Sequence, residues 1–150
     1  MEASETMPIV VGAHLRAETT DRPLAEQVRE TIESWMAAHD VSPPPAPLVC
    51  TDLWYLNNAE LRAQPTLCIG DPEVNAATAA LAGRLPSATV ADGQWRIQLD
   101  AAFASPTCCV WGVDEGTTAE AIEAFVQRWL DPWLGAVFGI RGLADEGSRA

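Results

Sequence analysis

Four short apolar runs in this 150-residue chain each end in side chains with chemical potential. His14 follows residues 8–13, and Asp52 follows the run that begins at Leu48. Asp71, with Glu73 and Asn75, follows residues 65–70, and Asp114 with Glu115 follows residues 107–113. If these runs are parallel strands of one sheet, the residues after them gather at its carboxyl edge, where open α/β sheets hold ligands. Carboxylates converging there repel one another unless a cation joins them. A hard ion such as Mg²⁺, held by oxygen ligands, is the expected occupant. It could assist phosphoryl transfer or hydrolysis, with His14 as acid or base. His14, Asp52, Asp71, Glu73, Asn75 and Asp114 thus form the candidate metal or ligand rim.

The same residues have a purely structural reading. Asp71 stands where a helix wants an N-cap, with Pro72 at the first helical position and Glu73 complementing the helix dipole. Asp114 and Glu115 also precede a helix start. Asn75 would lie one turn into its helix, facing either the rim or solvent. The turn Gly70-Asp71-Pro72-Glu73 suits phosphate poorly: it has one glycine, a proline without an N–H, and two acids at the positive end of the dipole. No catalytic residue is assigned.

Other chemistry is excluded more firmly. The chain has no lysine, which removes Schiff-base chemistry and a P-loop. There is no Gly-x-Ser-x-Gly elbow and no His-Glu-x-x-His. Cys50, Cys68, Cys108 and Cys109 match no zinc spacing and read as small core hydrophobes.

A second candidate feature is apolar. Six tryptophans is a high count for this length. Trp129, Trp133, Leu134 and Phe138 crowd the C-terminal segment, where full coverage is hard to achieve. They are the candidate interface for a protein partner or a second copy of the chain.

The elements that would position these residues alternate. A strand at 8–13 precedes a helix from Asp21-Arg22-Pro23 to about His39, with Leu24, Val28, Ile32, Trp35 and Met36 on one face. Residues 42–47, rich in proline, form a stiff connector to a second strand at 48–52, which could continue through Leu53-Trp54-Tyr55. A short helical turn at 59–63 leads to a third strand at 65–70, then a helix from Asp71 that Gly83 ends. Asp92-Gly93 marks a hairpin, its second strand alternating Trp95, Ile97 and Leu99 with wet Gln94, Arg96 and Gln98. A strand at 107–113, a helix with a Thr117/Glu120 capping box, and a second short helix capped by Asp131 complete the chain.

This order predicts a three-layer α/β domain over residues 7–143, with a mainly parallel sheet and an antiparallel hairpin edge, compatible with flavodoxin-like or Rossmann-like arrangements. Residues 1–6 and 144–150 are expected to be mobile. The formal net charge of −12 opposes nucleic acid and anionic membranes. Glu2 and Glu5 stand where a secretory leader needs basic residues, so a cytoplasmic location is expected. The expected role is a non-catalytic interaction or accessory module without a cofactor. The alternative is a small-molecule-binding or Mg²⁺-assisted enzyme using the rim.

Overall fold

The computed structural model describes residues 5–140. The expected tail at 144–150, and residues 1–4 of the expected N-terminal one, lie outside the described residues. Six strands form one sheet: β1 (Thr6–Val11), β2 (Ala46–Thr51), β3 (Thr66–Ile69), β4 (Ser87–Ala91), β5 (Trp95–Leu99) and β6 (Thr107–Gly112), in the order β2-β1-β3-β6-β5-β4. The pairs β1·β2, β1·β3 and β3·β6 are parallel, whereas β5·β6 and β4·β5 are antiparallel. The sheet is therefore mixed, which corrects the mainly parallel expectation. The hairpin supplies two full strands, a third of the sheet.

The helices are α1 (Arg22–Ala38), α2 (Asp52–Leu56), α3 (Ala59–Arg62), α4 (Ala76–Leu81), α5 (Glu115–Arg128) and α6 (Leu130–Phe138). Alternation along each strand divides the core. Met7, Ile9 and Val11 of β1, with Leu67, Ile69, Cys108 and Val110, pack with α1, α5 and α6. Val10, Cys50, Cys68 and Cys109 pack instead with Tyr55, Leu61, Ala77 and Ala82, from α2, α3, α4 and the turn after α4. Both faces are thus covered, as the unbroken burial of β1 and β3 requires. Each fully buried Ile, Leu or Phe side chain contributes about 1.5–3 kcal/mol here.

Helix α1 buries Val28, Ile32, Trp35 and Met36 as its spacing predicts, with Ala25 in place of the half-buried Leu24. Several boundaries differ from the sequence reading, for local reasons. β2 stops at Thr51, whose hydroxyl accepts from the Trp54 N–H, so Leu53-Trp54-Tyr55 turn into α2 rather than extending the strand. Asp71 is not the cap of α4. Its carboxylate accepts the Glu73 N–H in a tight turn, and Asn75 caps the helix by accepting from Ala77 and Thr78. Helix α5 is capped by Asp114 with Thr117, one turn earlier than the Thr117/Glu120 reading. Asp131 lies within α6 and accepts the Trp35 indole N–H, so its carboxylate ties two helices together. Gln98 is buried because β5 is an interior strand, and β4 is the edge. Its amide donates to Ala82 O at 3.1 Å and accepts from the Trp111 indole at 2.8 Å.

The close of β1 leaves no room for a side chain. A Cβ on Gly12 would stand 1.8 Å from the Val74 carbonyl oxygen, which is backbone. Gly83, by contrast, has nothing within 4 Å and an ordinary negative φ. Gly12→Ala is therefore expected to destabilise the domain by about 3 kcal/mol or more, beyond ordinary overpacking. Gly83→Ala is expected to be neutral or to stabilise by up to about 1 kcal/mol. Chemical denaturation of the two variants checks both.

Candidate functional site at the carboxyl edge

Because β2, β1, β3 and β6 are parallel neighbours, the segments after them meet at one edge. His14, Asp52, Asp71, Glu73, Asn75 and Asp114 all lie in those segments. What the structure does with them differs from residue to residue.

Asp52 is buried and bound by backbone. One carboxylate oxygen accepts from Ala13 N at 3.1 Å and Leu53 N at 2.8 Å, and the other from Ala76 N at 2.7 Å. It pins the segments after β1 and β2 to the start of α4. Asn75 is fully buried and faces neither rim nor solvent. Its amide N–H groups donate to Val10 O and Ile69 O, both at 2.9 Å, so one side chain bridges the ends of β1 and β3. Asp114 is exposed, and the Thr117 N–H and hydroxyl hold its carboxyl below the usual carboxylate range. His14 is exposed, its Nδ1 accepting the Arg16 N–H at 3.2 Å. Glu73 is exposed on the turn after β3.

These bonds occupy much of the oxygen set that a cation would need. Among the described residues, no group of three or more His, Cys, Asp or Glu side chains is arranged to hold a metal ion. The crevice between β1 and β3, where a ligand would enter, is filled by the chain itself. Val74 O covers Gly12, and Asn75 fills the gap between the strand ends.

Two residues outside the expected rim complete this edge. Arg16 reaches from the β1 loop across to β6, donating to Val113 O at 3.2 Å and pairing with Asp71 at 3.5 Å. Beneath it lies Asp21, 5 % exposed, in a π-helical turn (Ala17–Asp21) that leads into α1. Its Oδ2 stands 2.7 Å from where a Cβ on Gly70 would be, and Gly70 adopts a positive φ of 115°. Burial pushes the Asp21 carboxyl up to about 6. The Thr20 hydroxyl and Arg16 pull it down, while Asp71 and Glu115 push it further up. Sequence reading missed Asp21 because an acid just before Arg22-Pro23 resembles an ordinary helix start. Only the π-helical turn carries it inward.

The thiols are sealed off. All four cysteines are free and buried, and burial pushes Cys50 up to about 11. A hydrogen bond with Cys109 and burial hold Cys68 well above its ordinary value, and burial does the same for Cys108. None is a ready nucleophile.

The expected C-terminal interface is packed into the domain. Trp133 and Leu134 are 1 % and 0 % exposed, and the Trp133 indole donates to Pro106 O at 2.9 Å. Trp129 is half-buried, bonded to the Thr89 hydroxyl at 2.9 Å, and Phe138 stacks on Trp35.

Exposure lies elsewhere. Among the described residues the exposed large hydrophobics are Leu15 (76 %), Leu53 (58 %), Val113 (55 %), Trp54 (52 %) and Val90 (42 %). The first four all lie just beyond the carboxyl ends of β1, β2 and β6. The Arg16–Val113 and Ala13–Asp52 hydrogen bonds draw these three segments together. Comparison with protein-family models, curated proteins and solved structures found no match.

The buried acid gives a pH signature. In the unfolded chain Asp21 titrates near its ordinary 3.8, and in the folded chain near 6. Between these values the folded state holds the extra proton, so stability is lost as pH rises and the cost is complete above 6. The cost is about 3 kcal/mol. Asp21→Asn is therefore expected to stabilise the protein by about 1–3 kcal/mol at pH 7.5 and by almost nothing at pH 4. Denaturant melts at the two pH values check this, and an equal gain at both would refute it.

Proposed function

We propose that this chain is a non-catalytic interaction module that docks a protein partner on the carboxyl edge of its parallel strands. The observation that carries the reading is the placement of Leu15, Leu53, Trp54 and Val113. Four of the five exposed large hydrophobics among the described residues lie in the segments after β1, β2 and β6, which two hydrogen bonds tie together. Exposed apolar patches with polar surrounds mark interaction surfaces, and tryptophan is the residue most enriched among binding hot spots. The filled crevice supports a surface role over a pocket role. The packed state of Trp129, Trp133, Leu134 and Phe138 favours the strand edge over the C-terminal helix as the docking face.

The finer reading of the fold, a three-layer flavodoxin-like or Rossmann-like arrangement, draws support from helices on both faces of the sheet and from a candidate surface at the carboxyl edge. A cytoplasmic location fits four free buried thiols. A Mg²⁺-assisted enzyme has less behind it, because Asp52 and Asp114 already serve backbone N–H groups.

A photo-crosslinking amino acid at position 54 or 113, introduced in the host cell, tests the docking reading. A discrete product from both positions is expected, with none from position 30 on the outer face of α1. Equal yields from all three positions, or none above the position-30 background, would remove this function.

A further inference from the structure

We infer that the segment docking on this edge is basic as well as apolar, with arginine or lysine side chains interleaved among leucine-like ones. The inference rests on the docking reading above and adds the chemistry of the partner.

The argument is one of charge complementarity around the apolar residues. Glu73 follows β3, and Asp114 and Glu115 follow β6. All three are exposed, and Glu115 stands two residues from Val113. Asp114 keeps its charge, since its Thr117 hydrogen bonds favour the carboxylate. Asp71 is paired with Arg16, and the buried Asp21 lies beside that pair. The nearby cations are already engaged. Arg16 is held by Asp71 and by Val113 O, and Arg22 pairs with Glu18 at 3.0 Å. A binding surface of this sign draws in positively charged partners and repels negative ones.

The other occupants fare worse on the same ground. A second copy would bring Glu73, Asp114 and Glu115 of two chains together, each chain carrying a net charge of −12. Nucleic acid and an anionic membrane are repelled in the same way. A purely apolar partner would leave these carboxylates facing it without a counter-charge, at the cost of desolvation. A basic, apolar segment satisfies both features at once. Its leucine-like side chains cover Leu15, Leu53, Trp54 and Val113, and its cations meet the acids beside them.

The test uses the full chain, ¹⁵N-labelled, and three synthetic decapeptides: alternating leucine–arginine, leucine–glutamate and serine–arginine. The leucine–arginine peptide is expected to shift the Trp54 indole resonance and the Leu15 and Val113 amides. Its affinity is expected to fall about tenfold between low and high salt. The leucine–glutamate peptide is expected to leave those resonances in place, and serine–arginine to bind at least about tenfold more weakly. Glu73→Gln/Glu115→Gln is expected to weaken the leucine–arginine peptide severalfold. Glu30→Gln/Glu123→Gln, on the outer faces of α1 and α5, is expected to leave it unchanged. Equal binding of leucine–glutamate at Trp54 would overturn the basic partner and leave the docking edge standing. Equal loss in the two double variants would reduce the effect to general charge attraction and overturn the inference. Concentration-dependent shifts at Trp54 without peptide would overturn it in favour of a second copy. No shift at Leu15, Trp54 or Val113 with any peptide at millimolar concentration would overturn both readings.

Discussion

The side-chain amide of Asn75 holds the carboxyl edge of this sheet together. Parallel strands diverge as they twist, and β1 and β3 pair only across Ile9–Val10 and Leu67–Cys68. At the end of that register the carbonyls of Val10 and Ile69 accept from Asn75 in a place water does not reach. One amide supplies both, and its oxygen caps α4 on the other side. Buried polar groups are costly when unpaired and rigidifying when fully paired. Asp52 repeats the logic one strand over, with three backbone N–H groups on one carboxylate. These two side chains set where the turns after β1, β2 and β3 lie, and so which surface the edge presents.

The crevice they close is structural where related geometries are functional. The switch point between β1 and β3 is the usual opening of an open α/β sheet. Here Val74 O and Asn75 occupy it. Asp52, Asn75 and Asp114, which looked available for chemistry, are bound to backbone, and Leu15, Leu53, Trp54 and Val113 are left outside. Asp21 departs from this pattern. It is buried at a cost to stability, close to Arg16, Asp71 and Glu115, and the Thr20 hydroxyl offsets only part of that cost.

Periodicity made most of the fold legible. Helix α1, the buried β1 and β3, and the Asp92-Gly93 hairpin follow from spacing and turn chemistry, and all are present. The rest depended on competition between equally good local signals. Asp71-Pro72-Glu73 is as good a helix start as Asn75, and the bonds from the Asn75 amide to the carbonyls of Val10 and Ile69 separate the two only in the folded chain. Gln98 reads as a wet residue until β6 and β4 flank its strand. The loops at the carboxyl edge were legible, because strand ends follow from strand runs. Which side chains there are bound by backbone and which stay exposed was not, because solvent exposure is a property of tertiary cover. Nothing local distinguishes Trp54, left outside, from Trp133, sealed within.

The turn at residues 71–75 also shows how short a distance separates a surface from a cavity. Five residues close the mouth of this sheet. A shorter connection between β3 and α4 would uncover the glycine at the close of β1, and it would also withdraw the amide that joins the ends of β1 and β3.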